Sequence, residues 1–304
     1  AITTMDPPEH TRLRRAVLPW FTPAAAERFR PRLTAVARSL LDRVPEDLVS
    51  GYAQPLALRV ITELLDIPEA DRDRFDAWTD GYLGLSAADP HRIEQARDAL
   101  TAYLTGLIGQ RRGGEDVLSG LAGVLTGEEL VAMAVTLAVA GYQTTANEIA
   151  ASIVALLSHS EQWRRLCEGE VPMATAVEEL LRFTPIAASG GTIRVAVEDV
   201  HINGTTVKAG EGVLPSTTSA NRDARVFTDA DALDLDRKPN PHIAFGHGTH
   251  RCLGAHLARV VLQVALGELA MYCPGLALAV PVEELPWETG RMIRGPRCLP
   301  VRWG

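Results

Sequence analysis

Cysteine is scarce in this chain. Its 304 residues hold only Cys167, Cys252, Cys273 and Cys298, and no two of them stand at a metal-finger spacing. That excludes a zinc-ribbon framework and a disulfide-dense scaffold, and it points to a reducing compartment, the cytoplasm. Long apolar runs are also missing. The longest, residues 130–141, falls short of the roughly 20 residues that a bilayer crossing needs. The first residues do not read as a secretory signal, and none is expected. Positive charge is in deficit, with 30 Lys and Arg against 38 Asp and Glu for a net charge of −8. This argues against a nucleic-acid partner and against an anionic membrane surface. There is no Gly-rich dinucleotide loop, so the chain carries no reductase signature. Internal repeats, low-complexity segments and a second-domain boundary are absent too. With 46% hydrophobic residues, residues 1–304 read as one domain with a sizeable core.

One stretch stands out: Phe245-Gly246-His247-Gly248-Thr249-His250-Arg251-Cys252-Leu253-Gly254. Three glycines mark a backbone bent into conformations that other residues avoid. Cys252 ends the loop. A buried helix follows, interrupted by the polar residues His256, Arg259 and Gln263. A cysteine at a helix N-terminus beside Arg251 and His250 is expected to favour thiolate over thiol. A thiolate on a stiff loop suits an axial ligand of haem iron, where it donates electron density. The competing reading is a buried structural cysteine. His247, His250 and His256 have no accompanying carboxylate, which disfavours zinc.

The rest reads as helix until about residue 186. Asp6-Pro7-Pro8-Glu9 has the form of a helix start, with Asp6 as cap. The helix after it carries His10, Arg12, Arg14 and Arg15, with His10 and Arg14 on one face. Pro23 opens a further run, and helices are predicted over 55–65, 71–85 and 91–112. Thr126 and Glu129 form a capping box for a helix reaching about residue 158. Ala140-Gly141-Tyr142-Gln143-Thr144-Thr145 lies in its middle, and Gly and Thr there are poor helix formers. A kink, a side chain or water inserted into the ladder, or a close helix crossing would each explain them. Glu179 and Arg182 are spaced to pair on a short helix. Strands are predicted from residue 192, with Asn203-Gly204 as a hairpin turn.

The glycine-rich stretch resembles the haem-binding loop of the cytochrome P-450 family. Phe245, Gly246, Gly248, His250, Cys252 and Gly254 occupy its fixed positions. The resemblance runs from about residue 6 to residue 304. It implies a mainly α fold with small β-sheets and a long central helix over haem b, with Cys252 bound to the iron. His10, Arg14, Arg194 and His250 would meet the haem propionates, and Phe245, Gly246 and Gly254 would shape the loop. Ala140, Gly141, Gln143 and Thr144 would form the oxygen-activating segment. There the family places an acid before the threonine, and this chain has Gln143. Glu179 and Arg182 would be a buried structural pair. The implied activity is monooxygenation of a small secondary metabolite, with electrons from a ferredoxin-type donor docking near Arg12, Arg14 and Arg15. Phenol coupling, dehydration or isomerisation, and a non-catalytic carrier-protein-binding role, stay open beside it. The family also carries a strand-rich N-terminal portion, so the chain is expected to be N-terminally incomplete, and it is expected to be a monomer.

Overall fold

The computed structural model describes all residues except 84–89, 111–112, 115, 188–190 and 289–292. Helices dominate: α1 (Glu9–Val17), α2 (Pro23–Glu27), α3 (Arg30–Leu41), α4 (Gln54–Leu64), α5 (Arg72–Leu83), α6 (Pro90–Gln110), α7 (Val117–Leu121), α8 (Gly127–Leu157), α9 (Ser160–Cys167), α10 (Met173–Phe183), α11 (Thr217–Ala220) and α12 (Ala255–Tyr272). The expected helix ends at Leu85 and Arg112 fall outside the described residues. Three two-stranded antiparallel sheets accompany the helices. β1 (Arg194–Val195) pairs with β4 (Gly212–Val213), β2 (Val200–Ile202) with β3 (Thr205–Val207), and β5 (Ala277–Leu278) with β6 (Val301–Arg302). Asn203 and Gly204 both have positive φ, at 45° and 84°, as a two-residue hairpin turn requires.

Helix α8 is the spine. Its capping box is complete, with Thr126 accepting from the Glu129 amide at 3.3 Å and Glu129 accepting from the Thr126 amide at 3.0 Å. It packs against α4, α5, α6 and α12, and a continuous set of buried side chains runs from Leu13 to Val301. Glycine in its middle serves a helix crossing: a Cβ at Gly141 would stand 2.9 Å from Ile61 Cδ1 of α4. The helix runs unbroken through this segment. Thr144 and Thr145 turn their hydroxyls back onto the carbonyls of Ala140 (2.6 Å) and Gly141 (2.7 Å). The α1 start differs from the expectation. Pro8 precedes the first helical residue, and the Asp6 side chain caps nothing. Instead the Asp6 carbonyl accepts from the His10 amide at 3.1 Å.

Between α11 and α12 the chain has almost no regular structure, and side chains do the work of a backbone ladder. Arg182 and Glu179 are fully buried and joined by two hydrogen bonds of 2.8 and 2.7 Å. Arg182 also donates to the carbonyls of Asn221, Ala230 and Ala232. Glu179 accepts from Arg237, from the Asp234 amide and from Asn240. Removing its charge leaves two guanidinium groups buried without their shared anion. Glu179→Gln is therefore expected to destabilise the fold by about 3–5 kcal/mol, read as a lowered denaturation midpoint. An unchanged midpoint would show the network to be dispensable.

A second buried carboxyl behaves differently. Glu148 on α8 faces Thr184 at 2.6 Å, and Thr184 also lies 2.5 Å from the Leu180 carbonyl. One hydroxyl proton cannot serve both. The consistent pattern has a protonated Glu148 donating to Thr184, which donates to Leu180. Burial pushes the Glu148 pKa up to about 8 from 4.5, against the pull of Thr184. The native state thus holds a proton that the unfolded chain releases, so stability falls as pH rises from about 4.5 to about 8 and then levels. The full difference corresponds to at most about 5 kcal/mol. Glu148→Gln is expected to be more stable than the parent at pH 8 and near-neutral at pH 4.5. Equal effects at both pH values in urea titrations would contradict the assignment.

Candidate haem site

The loop before α12 is bent by its glycines where the backbone requires it. Gly246 has φ of 70° and Gly248 has φ of 75°, both in the left-handed region. The Cys252 amide donates to the Phe245 carbonyl at 2.8 Å and closes the loop. The Gly246 amide donates to Ile243 at 2.8 Å and the Arg251 amide to Gly248 at 3.0 Å. Gly254 sits immediately before α12, and its backbone N–H points at the Cys252 sulfur.

Glu178, which sequence reasoning passed over, pins this loop from behind. Its carboxylate takes both arms of Arg259 at 2.6 and 2.7 Å and lies 3.0 Å from His242 Nε2. Burial opposes the charge on Glu178, yet Arg259 and His242 hold its pKa down at about 2. The Arg259 guanidinium also lies over the Phe245 ring, 4.6 Å from its centroid. The only sequence sign was the polar break at Arg259 in an otherwise buried helix.

Helix α1 meets the other side of the loop. His10 is 1% exposed and its ring lies 4.4 Å from that of His250, tilted by 56°. Arg14 reaches the Arg251 carbonyl with a 2.6 Å hydrogen bond. Burial, then His250 and Arg14, push the His10 pKa down and favour the neutral ring. His10, Arg14, His250 and Cys252 are therefore gathered at one place, and Arg194 stands exposed at the start of β1. Arg12 does not share this face freely, because it is ion-paired with Glu129. Arg12 and Arg15 are the exposed cations of this helix, Arg12 held by Glu129, while Arg14 is half-buried.

Without a bound metal, the expected thiolate is not favoured. Cys252 is accessible to solvent yet densely walled by protein. Burial pushes its pKa up and outweighs the downward pull of the Gly254 amide, Arg14, Arg251 and Arg259. A bound metal cation reverses that balance, since a coordinating thiol loses its proton outright. The residues fit a haem on three further counts. His10 Nδ1 is buried with no partner of its own. Cations line the approach to Cys252, as a dianionic macrocycle edge requires. The sulfur itself is accessible on a hydrogen-bonded loop. Among the described residues no group of three or more His, Cys, Asp or Glu is arranged to hold a metal ion.

The oxygen-side residues lie on α8, which packs against α12. Ala140 is exposed although it sits mid-helix, Thr144 is half-buried and Gln143 is buried. Gln143 Nε2 donates to Asp80 of α5 at 3.2 Å, a partner with no sign in the local sequence. A cavity of about 880 Å³ opens against this helix, lined by Tyr82, Arg97, Thr101, Val135, Val139 and Ala140 among others. Among the described residues no helix is long and apolar enough to cross a membrane.

Comparison with known proteins agrees with this geometry. Residues 91–270 match the family model described as Cytochrome P450. The chain is 46% identical to nocardicin C N-oxygenase of Nocardia uniformis subsp. tsuyamanensis, over 100% of this chain and 79% of that protein. It is 43% identical to mycinamicin IV hydroxylase/epoxidase of Micromonospora griseorubida, over 99% of this chain and 79% of that protein. It superposes with a TM-score of 0.94 and 38% identity on the crystal structure of cytochrome P450mel 107F1 with biaryl coupling reactivity, covering 100% of this chain and 80% of that one. The helical architecture, the cysteine loop and these relatives agree: the chain belongs to the cytochrome P450 family and is a haem b monooxygenase.

Proposed function

We propose that this enzyme inserts one oxygen atom from O2 into a secondary-metabolite substrate, with electrons from a ferredoxin-type donor and its reductase. The observation that carries this reading is the convergence of His10, Arg14, His250 and Cys252 on one hydrogen-bonded loop. Cys252 would hold the iron through its sulfur. Arg14 and Arg194 would offset the propionate charge, and His10 and His250 would donate ring N–H hydrogen bonds to it. Phe245, Gly246 and Gly254 hold the loop in shape. When bound, the haem supplies the reductive activation of O2 that no protein side chain provides.

The protein groups do the rest. The cavity between α5, α6 and α8 holds the substrate against Ala140, with side chains such as Val135 and Val139 excluding water. Gly141 lets α4 approach α8 closely, which fixes the height of the segment. The Thr144 hydroxyl donates to its own helix, so it offers lone pairs outward and accepts a hydrogen bond from water or from the reacting group. Gln143 orients water but does not ionise. The chain works as a monomer in the cytoplasm, as a single haem-thiolate domain over residues 1–304. A second reading is oxidative coupling of phenols, favoured by the likeness to P450mel 107F1. Dehydration, isomerisation and carrier-protein binding have no comparable support.

Two measurements check these roles. Reduced protein under CO is expected to show the long-wavelength Soret band of a thiolate ligand, and Cys252→Ser is expected to abolish it. A band surviving in that variant would remove Cys252 from the iron. Thr144→Ala is expected to release several-fold more hydrogen peroxide per NADPH oxidised than the parent. Unchanged peroxide yield would exclude the threonine from oxygen handling and favour the coupling reading.

A further inference from the structure

The acid that normally precedes the threonine of α8 is absent from this sequence, and the structure supplies one from another helix. Asp80 lies on α5, and its Oδ1 accepts the 3.2 Å hydrogen bond from Gln143 Nε2. One turn earlier on α5, Asp76 is hydrogen-bonded to the Tyr142 hydroxyl, so two neighbouring residues of α8 are each held by a carboxyl of α5. Gln143 is 6% exposed while Asp80 is half-buried, so the pair leads inward from solvent to the residue beside Thr144.

We propose that Asp80 provides the acid function of the oxygen-activating segment, acting through Gln143, which is its positioning partner. This rests on the haem-thiolate reading above. Releasing one oxygen atom of O2 as water takes two protons and two electrons. Each proton would be taken up from solvent by the Asp80 carboxylate and handed along water oriented by Gln143 and Thr144 toward the oxygen side of the haem. The electrons come from the redox partner. Gln143 changes no protonation state. Because the acid sits on α5 and the oxygen-side segment on α8, proton supply depends on how closely the two helices lie.

The other titratable groups at this seam are few. Tyr142 on α8 is pushed well above its ordinary pKa by burial, then by Asp76 and Asp80. Asp76 is pushed up by burial and by Asp80 and Asp73, against the pull of Tyr142. On the flanking helices, Arg59 of α4 is paired with Glu63 and Arg97 of α6 with Asp98. Tyr142 and Asp76 are hydrogen-bonded to each other, and Asp80 is the carboxyl in contact with Gln143.

The test uses haem-loaded protein with NADPH, a plant-type ferredoxin and its reductase, without organic substrate. Asp80→Asn retains an acceptor for Gln143 but cannot deliver a proton. NADPH oxidation is expected to fall about tenfold or more, with a larger H2O/D2O rate ratio and loss of its acid-dependent pH limb. Gln143→Glu placed in the Asp80→Asn background is expected to restore rate and pH limb, because it returns an acid to α8. Amide hydrogen exchange across α5 reports the helix seam independently: it should stay near parental in Asp80→Asn and rise in Asp80→Ala. The reduced CO band must persist in every variant, and its loss would indict the haem-thiolate reading instead. An unchanged rate, isotope ratio and pH profile in Asp80→Asn would overturn the proposal and leave Asp80 a structural latch. So would failure of Gln143→Glu to rescue a slowed Asp80→Asn.

Discussion

The Glu179 carboxylate is the interaction on which the haem side of the molecule depends. It is buried between two arginines, Arg182 and Arg237, and also accepts from Asn240 and the Asp234 amide. Two cations share one anion, and the leftover N–H groups go to backbone carbonyls at residues 221, 228, 229, 230 and 232. Burying these charges is costly, and the geometry offsets the cost only because nearly every donor is satisfied. A half-satisfied version would be worse than an apolar core, so the network is close to all-or-none.

From there the constraint passes to the cysteine loop. Asn221, whose carbonyl is held by Arg182, accepts from the Ile243 amide at 2.8 Å through its side chain. Ile243 in turn accepts from Gly246. The neighbouring Glu178 reaches Arg259 of α12 and His242, and Arg259 covers Phe245. Two adjacent glutamates of α10 thus fix opposite borders of the loop that carries Cys252. The loop is irregular in backbone but not loosely held.

Local signals in the sequence were legible where the physics is local. The Thr126–Glu129 box, the Asn203-Gly204 turn and the glycines of the cysteine loop are decided within a few residues, and they stand in the structure as expected. Glu179 and Arg182 were visible as a pair at helical spacing, but Arg237 and Asn240 were not, because no spacing rule links partners 58 and 61 residues apart. The same holds for Asp80, which touches Gln143 across 63 residues. The thiolate expectation holds only with the metal bound, for a related reason. Neighbouring cations are written in the sequence beside Cys252, whereas the protein packed around its accessible sulfur, which raises the pKa of the metal-free thiol, is a property of the assembled fold. The Asp6 cap failed because two prolines displaced the helix start to Glu9. Gly141 was open between a kink and a helix crossing, and the approach of Ile61 decides for the crossing.

The account stands on a sulfur bond from Cys252 to iron, supported from behind by the α10 glutamates. X-ray absorption at the iron edge of the haem-loaded protein measures that bond without substrate, redox partner or turnover. The account predicts one sulfur neighbour in the parent and none in Cys252→Ser. An iron shell made only of nitrogen and oxygen in the parent would contradict it.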